Sequence, residues 1–198
     1  MLNFSKLLLL TLLAFACAKP AEVKKAVADM TDEEVMASAT ALAKQNIIVD
    51  GHVDLPYRME VKGFMLKKKV EDVSVETEGN FDYPKAKEGG LDAPFMSIYI
   101  PSSYYVKGGA KAFADSLIEM TQNVATAFPD KFALANTPAD IQSTFDKGLI
   151  SLPLGMENGA PIEDDLANVE DFFNKGIRDI TPTHSIATPL NDSYFETT

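Results

Sequence analysis

The sequence predicts an α/β fold built on a parallel β-sheet. From about residue 86 onward, apolar segments of strand length alternate with segments of helical period, and this alternation is typical of parallel sheets. A further buried strand is predicted where the β-branched residues Ile47, Ile48 and Val49 precede Asp50 and Gly51. The chain has 198 residues, of which 46% are hydrophobic, enough to bury one core. We therefore expect a single folded domain.

The first helix is predicted to begin at a capping box, Thr31–Glu34. In this motif each of the two side chains accepts a hydrogen bond from the other residue's backbone N–H. The segment Arg58–Gly79 has no clear period, which predicts a long loop with Lys67–Lys69 as a solvated face. The helix that begins at the Thr31 capping box is expected to pack through an apolar stripe formed by Val35, Met36, Ala39, Leu42 and Ala43.

Later elements follow as strands and helices in turn. Strands are predicted at Phe95–Ile100, Phe132–Leu134, Leu149–Met156 and Ile177–Thr183. Helices are predicted at Ala110–Phe128, from the N-cap Thr137 to Gly148, and at Ile162–Lys175. The predicted helix Ala110–Phe128 is expected to face inward through Phe113, Leu117, Met120, Val124 and Ala127. The predicted helix Ile162–Lys175 is expected to do so through Leu166, Val169, Phe172 and Phe173.

The amino terminus has the pattern of an export signal. Lys6 precedes the apolar run Leu7–Ala16, which is too short to span a bilayer, and Cys17 follows directly. This resembles a bacterial lipoprotein signal, in which the cysteine is lipidated and becomes the first mature residue. We expect residues 1–16 to be the signal peptide, 18–30 a tether and 31–198 the folded part, exported and membrane-anchored on the periplasmic or outer side. An ordinary secretory signal is the alternative.

Composition limits the partners of this protein. The formal net charge of −11 argues against nucleic-acid binding, which requires a basic face. With one cysteine, the chain forms no internal disulfide. An acidic surface would not promote adhesion to anionic lipid, so the acyl chains on Cys17 are expected to provide the anchoring.

Four side chains suited to metal binding or acid–base chemistry follow predicted strands. His52 and Asp54 follow the first strand, and Glu157 and His184 follow two later ones. Because ligands bind at the carboxyl ends of parallel strands, we expect these groups on one rim of the sheet. Residues i and i+2 of an extended segment share a face, so His52 and Asp54 should converge. We predict a site for Zn²⁺ or a similar divalent ion; a polar turn is the alternative for His52 and Asp54 alone.

The same residues lie in blocks that resemble the membrane dipeptidase (renal dipeptidase) family of zinc peptidases. Asp50–Pro56 resembles its opening motif, and Gly89–Pro101, Leu154–Gly159 and Ile180–Ser185 agree with later blocks in collinear order. The resemblance implies a (β/α)₈ TIM-type barrel that holds two Zn²⁺ ions. It also implies an enzyme that hydrolyses dipeptides through a metal-bridging hydroxide. It also implies tolerance of a D-residue at the carboxyl-terminal position of the dipeptide.

The resemblance assigns roles to the four residues. It implies that His52 and Asp54 bind the first zinc ion, that Glu157 bridges both ions, and that His184 contacts substrate near the scissile carbonyl. In the family, the second ion takes two further histidines, whereas this sequence has no histidine after His184. We therefore expect the chain to represent the amino-terminal half of the barrel and to be inactive alone. Whether the complete enzyme forms a homodimer is left open.

Two other functions remain compatible with the residues. One is a non-catalytic barrel lipoprotein that lacks the second metal. The other is a different metal-dependent amidohydrolase, because a similar His-x-Asp pair after the first strand is common in such barrels.

Overall fold

The computed structural model describes residues 25–188 and 190–193. The chain divides into two compact units, residues 1–38 and 39–198. The predicted signal peptide, Cys17 and most of the tether lie outside the described residues. Within the described part of the chain, no helix is long and apolar enough to cross a membrane.

The capping box of the first unit is confirmed. After a 3₁₀ turn at Val27–Asp29, helix α1 spans Asp32–Gln45. The Thr31 N–H donates to the Glu34 carboxylate at 2.7 Å, and the Glu34 N–H donates to the Thr31 hydroxyl at 3.3 Å. However, α1 buries none of its residues. The predicted apolar stripe is therefore mostly exposed, and of its residues only Ala43 is half-buried, beside Gly90.

A four-stranded parallel sheet forms the centre of the second unit. Its order is β1-β2-β5-β6, and a separate parallel pair joins β3 and β4, which confirms the predicted α/β class. The strands are β1 (Ile48–Val53), β2 (Leu91–Tyr99), β3 (Phe132–Leu134), β4 (Ile150–Leu152), β5 (Leu154–Glu157) and β6 (Ile177–Thr181). The helices after α1 are α2 (Leu55–Val61), α3 (Tyr83–Gly89), α4 (Ser103–Lys107), α5 (Ala110–Ala127), α6 (Pro138–Asp146) and α7 (Ala167–Asn174).

The main core lies between the sheet and its helices. Met96 and Ile98 of β2, and Ile100 directly after it, are fully buried. Helix α5 buries the predicted residues Phe113, Leu117, Met120 and Val124, whereas Ala127 at its last turn is exposed. The alternate residues of β2 face the opposite side of the sheet, where the candidate site lies.

The predicted burial of the first strand is wrong. β1 is an outer strand of the sheet, and five of its six residues are exposed in the described structure. It also extends to Val53, so His52 belongs to the strand instead of following it.

The predicted strand Leu149–Met156 is divided at Pro153. A proline has no N–H to donate to a strand ladder, and here it separates β4 from β5. The Pro153 carbonyl still accepts a hydrogen bond from the Met96 N–H at 2.8 Å. The two halves therefore join different sheets.

The predicted helix Ile162–Lys175 is shorter than expected. A 3₁₀ turn at Ala160–Ile162 and a left-handed Glu163 (φ 54°) delay its start to Ala167. Of the four residues expected to face inward, only Phe172 is buried. The guanidinium of Arg178 lies 4.2 Å from the centre of the exposed Phe173 ring.

The irregular segment after α2 is held by ion pairs. The Glu71 carboxylate lies 2.9 Å from Arg58 and 2.8 Å from Lys62. The Arg58 guanidinium also donates to the Phe81 carbonyl at 3.0 Å. The predicted long loop is thus present, although α2 takes up its first residues as far as Val61.

Candidate metal centre

A local irregularity at the end of β1 turns two side chains towards each other. The Asp50 carboxylate accepts a hydrogen bond from the His52 N–H at 2.9 Å, and the pairing of β1 with β2 shifts register between Asp50 and Val53. Asp54 then precedes α2 as its N-cap residue. His52 Nε2 lies 3.4 Å from Asp54 Oδ1, so the predicted convergence of this pair is found.

Glu157 lies at the end of β5 and faces both histidines. Its Oε2 is 3.3 Å from His52 Nε2, and its Oε1 is 3.3 Å from His184 Nε2. The Glu157 side chain is 21% exposed, whereas those of His52 and His184 are 47% and 38% exposed. The structure therefore brings all four predicted residues to one rim, with Glu157 between the two imidazoles.

Three of these residues form a donor set that fits a metal ion. One ligand atom each from His52, Asp54 and Glu157 lies within 4.8 Å of the others. Ligands about 2.1 Å from a tetrahedral zinc ion are roughly 3.4 Å apart, close to the observed separations of 3.3 and 3.4 Å. One imidazole and two carboxylates suit Zn²⁺ and leave room for water or substrate.

Strand β2 supplies two site residues that were absent from the sequence-based prediction. The buried Ser97 hydroxyl donates to Glu157 Oε2 at 3.2 Å. The Tyr99 ring makes edge-to-face contacts with Tyr57 at 4.9 Å and with His184 at 5.2 Å between ring centres. Burial raises the pKa of Tyr99, and the nearby Tyr57, Glu157 and Asp54 raise it further. Ser97 and Tyr99 are two residues apart in the predicted strand Phe95–Ile100, and this spacing could have indicated that both side chains lie on the same face of the sheet.

The chain after Glu157 reverses over a buried asparagine. Asn158 has a φ of 83°, a left-handed conformation that asparagine tolerates better than most residues. Its side-chain amide donates to the Ile100 carbonyl at 2.8 Å, and its side-chain oxygen accepts from the Ala160 N–H at 3.1 Å. A side chain at Gly159 would collide with the Pro182 carbonyl, which accepts the Gly159 N–H at 3.1 Å. These contacts join the Glu157 turn to the segment that carries His184.

A further carboxylate, Asp179 of β6, lies near His52 and Glu157. It lines a small pocket of about 10 Å³ together with Ser97, Glu157 and Thr181, enough for roughly one water molecule. Burial raises the pKa of Asp179, while the neighbouring His52 opposes that shift. A side chain at Gly155 would collide with this carboxylate, so the glycine leaves room for the Asp179 side chain in its present position.

Comparison with known proteins identifies the family. The sequence model of the membrane dipeptidase family, peptidase family M19, matches residues 36–198. The chain belongs to the membrane dipeptidase family. This confirms the resemblance drawn from the sequence blocks, and the family is one of metal-dependent peptidases.

Curated relatives of this membrane dipeptidase family member include Dipeptidase 3 of Rattus norvegicus and of Mus musculus. Each is 26% identical over 165 residues, which cover 82% of this chain and 32% of the relative. The chain therefore spans about a third of the length of these relatives.

Solved structures of other proteins share the fold. The probable dipeptidase PvdM from Pseudomonas aeruginosa matches 78% of this chain and 38% of its own, with a TM-score of 0.65 and 20% identity. A metallopeptidase from Rhodobacter sphaeroides, liganded with a phosphinate mimic of the dipeptide L-Ala-D-Ala, matches 70% of this chain and 46% of its own. Its TM-score is 0.57 at 22% identity. At these identities the likeness establishes the TIM-barrel type of fold.

Proposed function

We propose that this chain provides the first metal-binding half of a zinc-dependent dipeptidase. The observation that carries the proposal is the placement of Glu157, whose two oxygens each face a different imidazole at 3.3 Å. A carboxylate in this position can serve two neighbouring cations, whereas a histidine offers only one metal-binding nitrogen on a given side.

The residues present have distinct roles in this proposal. His52, Asp54 and Glu157 would hold the ion, which when bound provides Lewis-acid activation of water and of a carbonyl group. His184 would face the scissile carbonyl of the substrate. Its Nδ1 lies 2.5 Å from the Ser185 hydroxyl, and the Tyr99 ring packs on it, so its Nε2 is held towards the Glu157 side of the site. The Ser97 hydroxyl would orient the Glu157 carboxylate.

We further propose that two zinc ions are used and that additional chain completes the barrel. β1 and β6 are the outer strands of the four-stranded sheet, and among the described residues their outer edges have no partner strand. Unpaired edges of a parallel sheet are unfavourable, and barrels remove them by closure. The remaining ligands of the second ion would come from the strands that close this barrel.

The proposed substrates are dipeptides, including those with a D-residue at the carboxyl terminus. Support comes from the relatives, which are named dipeptidases, and from the bound L-Ala-D-Ala mimic in the Rhodobacter sphaeroides structure. We also propose export and anchoring through lipidated Cys17, which the amino-terminal sequence supports. A homodimeric assembly is compatible with this proposal, and nucleic acid is not an expected partner at a net charge of −11.

The decisive test is Glu157→Gln in the complete protein, assayed for hydrolysis of L-Ala-D-Ala and L-Ala-L-Ala. This change replaces one carboxylate oxygen with an amide NH₂ group and removes the negative charge, which should reduce kcat/KM by at least about a thousandfold. Glu163→Gln is a matched control, because Glu163 is an exposed residue of the neighbouring turn, and it should retain full activity. Unchanged hydrolysis in Glu157→Gln would contradict the proposal. Cleavage of cyclic amides without cleavage of dipeptides would assign the site to another amidohydrolase class.

A further inference from the structure

The segment Val61–Val70, here called the lysine loop, forms a basic and apolar projection. Lys67, Lys68 and Lys69 are exposed, and among the described residues none of them pairs with a carboxylate. Leu66 is 92% exposed and Val61 is 67% exposed, so apolar side chains are interspersed with the cationic ones. No acidic residue occurs within the loop.

The backbone of the lysine loop is ordered by its own hydrogen bonds. The N–H groups of Lys67 and Lys69 both donate to the Phe64 carbonyl at 3.1 Å, and Lys68 adopts a left-handed conformation with a φ of 50°. Phe64, Met65 and Val70 pack against the hydrophobic core behind the loop. The loop therefore presents its exposed side chains from a preformed turn, which reduces the conformational entropy lost on binding.

The charges around the lysine loop leave its cations uncompensated. The nearest buried acid, Glu71, is neutralised by Arg58 and Lys62. Glu119 of α5 lines the same hollow as Lys68 and Lys69 but is not in ion-pair contact with them. By contrast, five lysines outside the loop, in the described part of the chain, each pair with a carboxylate: Lys25, Lys85, Lys111, Lys131 and Lys175.

We propose that the lysine loop binds the surface of a bilayer containing anionic phospholipid. Lysines within a Debye length of about 8 Å respond to the local surface potential of the membrane more than to the net charge of the protein. Exposed Leu66 and Val61 supply the apolar side chains that enter the headgroup region beside such lysines. An acidic protein partner would also attract the lysines, and it predicts no preference for phosphatidylglycerol in the vesicle experiment below.

This proposal differs from the expectation that an acidic surface would not promote adhesion to anionic lipid. The net charge of −11 describes the whole chain, whereas the loop is locally cationic. It does not depend on the proposed catalysis, because no metal ligand lies in the lysine loop.

Vesicle co-sedimentation of the complete protein carrying Cys17→Ser tests the proposal without any contribution from acyl chains. The probes are phosphatidylcholine vesicles with and without phosphatidylglycerol, at low and high salt. We expect binding to be at least about tenfold tighter with phosphatidylglycerol and to weaken at high salt. The combined variant Lys67→Gln, Lys68→Gln and Lys69→Gln should remove that preference, and Leu66→Ser should weaken binding severalfold.

Matched variants separate the loop from total charge and from folding. Lys44, Lys107 and Lys147 are exposed and pair with no carboxylate among the described residues; changing them to Gln alters net charge equally and should leave binding unchanged. Leu166→Ser, at a leucine that is 73% exposed, is the control for Leu66→Ser. Equal losses in the control variants, or equal binding to both vesicle types, would overturn the proposal. So would a lower unfolding temperature for Leu66→Ser than for Leu166→Ser, because Leu66 would then be covered by protein.

Discussion

At the scale of single residues, the position of Glu157 is determined by contacts to strands distant in sequence. Ser97 reaches it from β2, which lies beside β5 in the sheet, and Asn158 ties the following turn to the Ile100 carbonyl. Ser97 bonds the carboxylate and Asn158 fixes the backbone that follows it, and the two carboxylate oxygens face His52 and His184. Preorganised ligands of this kind lose little entropy when an ion binds.

Ser97→Ala is expected to weaken zinc binding by about 10- to 100-fold, because Glu157 loses the hydrogen bond that orients it. Competition with a chromophoric chelator measures this affinity. Ser116→Ala is the control, since the Ser116 hydroxyl donates to the Ala112 carbonyl of the same helix at 3.0 Å and Ser116 is far from Glu157 in the sequence. Equal affinities in the wild type and Ser97→Ala would show that Ser97 does not position the ligand.

At the scale of secondary-structure elements, α3 depends on one buried carboxylate. Asp82 accepts hydrogen bonds from the backbone of Lys85 at 3.0 Å and of Thr77 at 2.8 Å, and it pairs with the Lys85 ammonium at 2.5 Å. Burial opposes ionisation of Asp82, but the bonds from Lys85 and Thr77 outweigh it and lower its pKa to about 2. Asp82 thus caps α3 and closes the preceding loop at once.

Asp82→Ala should destabilise the protein by about 2–3 kcal/mol at neutral pH. Since the folded-state pKa is lowered, this stabilisation is fully present above pH 4 or so and is lost as the pH falls towards about 2. Denaturant unfolding of both proteins across this range measures the difference. Asp164→Ala, at an exposed aspartate of the turn before α7, should show no such pH dependence. A difference that stays constant down to pH 2 would contradict the linkage.

Helices α5 and α7 are joined by a compact ion network. Lys111 and Lys175 each contact both Asp115 and Asp171 at 2.6–3.2 Å, and both ammonium groups lie over the Phe172 ring. The hydrogen bond to Asp171 is the main reason that the pKa of Lys111 is raised. Phe172 is the one buried residue of α7, and the two ammonium groups cover its ring.

A double-mutant cycle of Lys111→Met and Asp171→Asn should give a coupling energy of about 0.5–1 kcal/mol, because these groups are only partly exposed and act within a network. The measurement is unfolding free energy at low and high salt. The same cycle at the adjacent pair Lys131 and Asp130, where Asp130 is 73% exposed, should give less. Equal coupling in the two cycles would mean that the network adds nothing beyond a single surface pair.

At the scale of the whole molecule, the site and the sheet depend on each other. The four predicted site residues come from β1, β5 and the segments that follow β1 and β6, so the site exists only when these strands are aligned. An ion bound at this rim therefore links the outer strand β1 to the inner strand β5.

Removing metal with a chelator should lower the unfolding temperature of the complete protein, since ligand binding to the folded state adds stability of about 2.7 kcal/mol at a free concentration of 100 Kd. Zn²⁺ should restore it. Glu157→Gln is expected to respond much less to either treatment, whereas Glu163→Gln should respond as the wild type does. Identical unfolding curves with and without metal would show that no ion connects these strands.

Much of this protein could be predicted from local sequence. The capping box at Thr31, the Thr137 cap that accepts from the Asp140 N–H at 3.1 Å, and the buried face of α5 are confirmed because caps and helical periods depend on neighbours in the chain. The convergence of His52 and Asp54 is predictable for the same reason. The family followed from the order of the sequence blocks.

The tertiary structure alone decided which residues meet across the sheet. Strand order brings β2 beside β5, and this adjacency adds Ser97 and Tyr99 to the site. The exposure of β1 and the separation of β4 from β5 at Pro153 also depend on which segments pack together, not on the period of either strand. Spacing along the chain predicts the direction in which a side chain points, whereas long-range packing determines what it contacts.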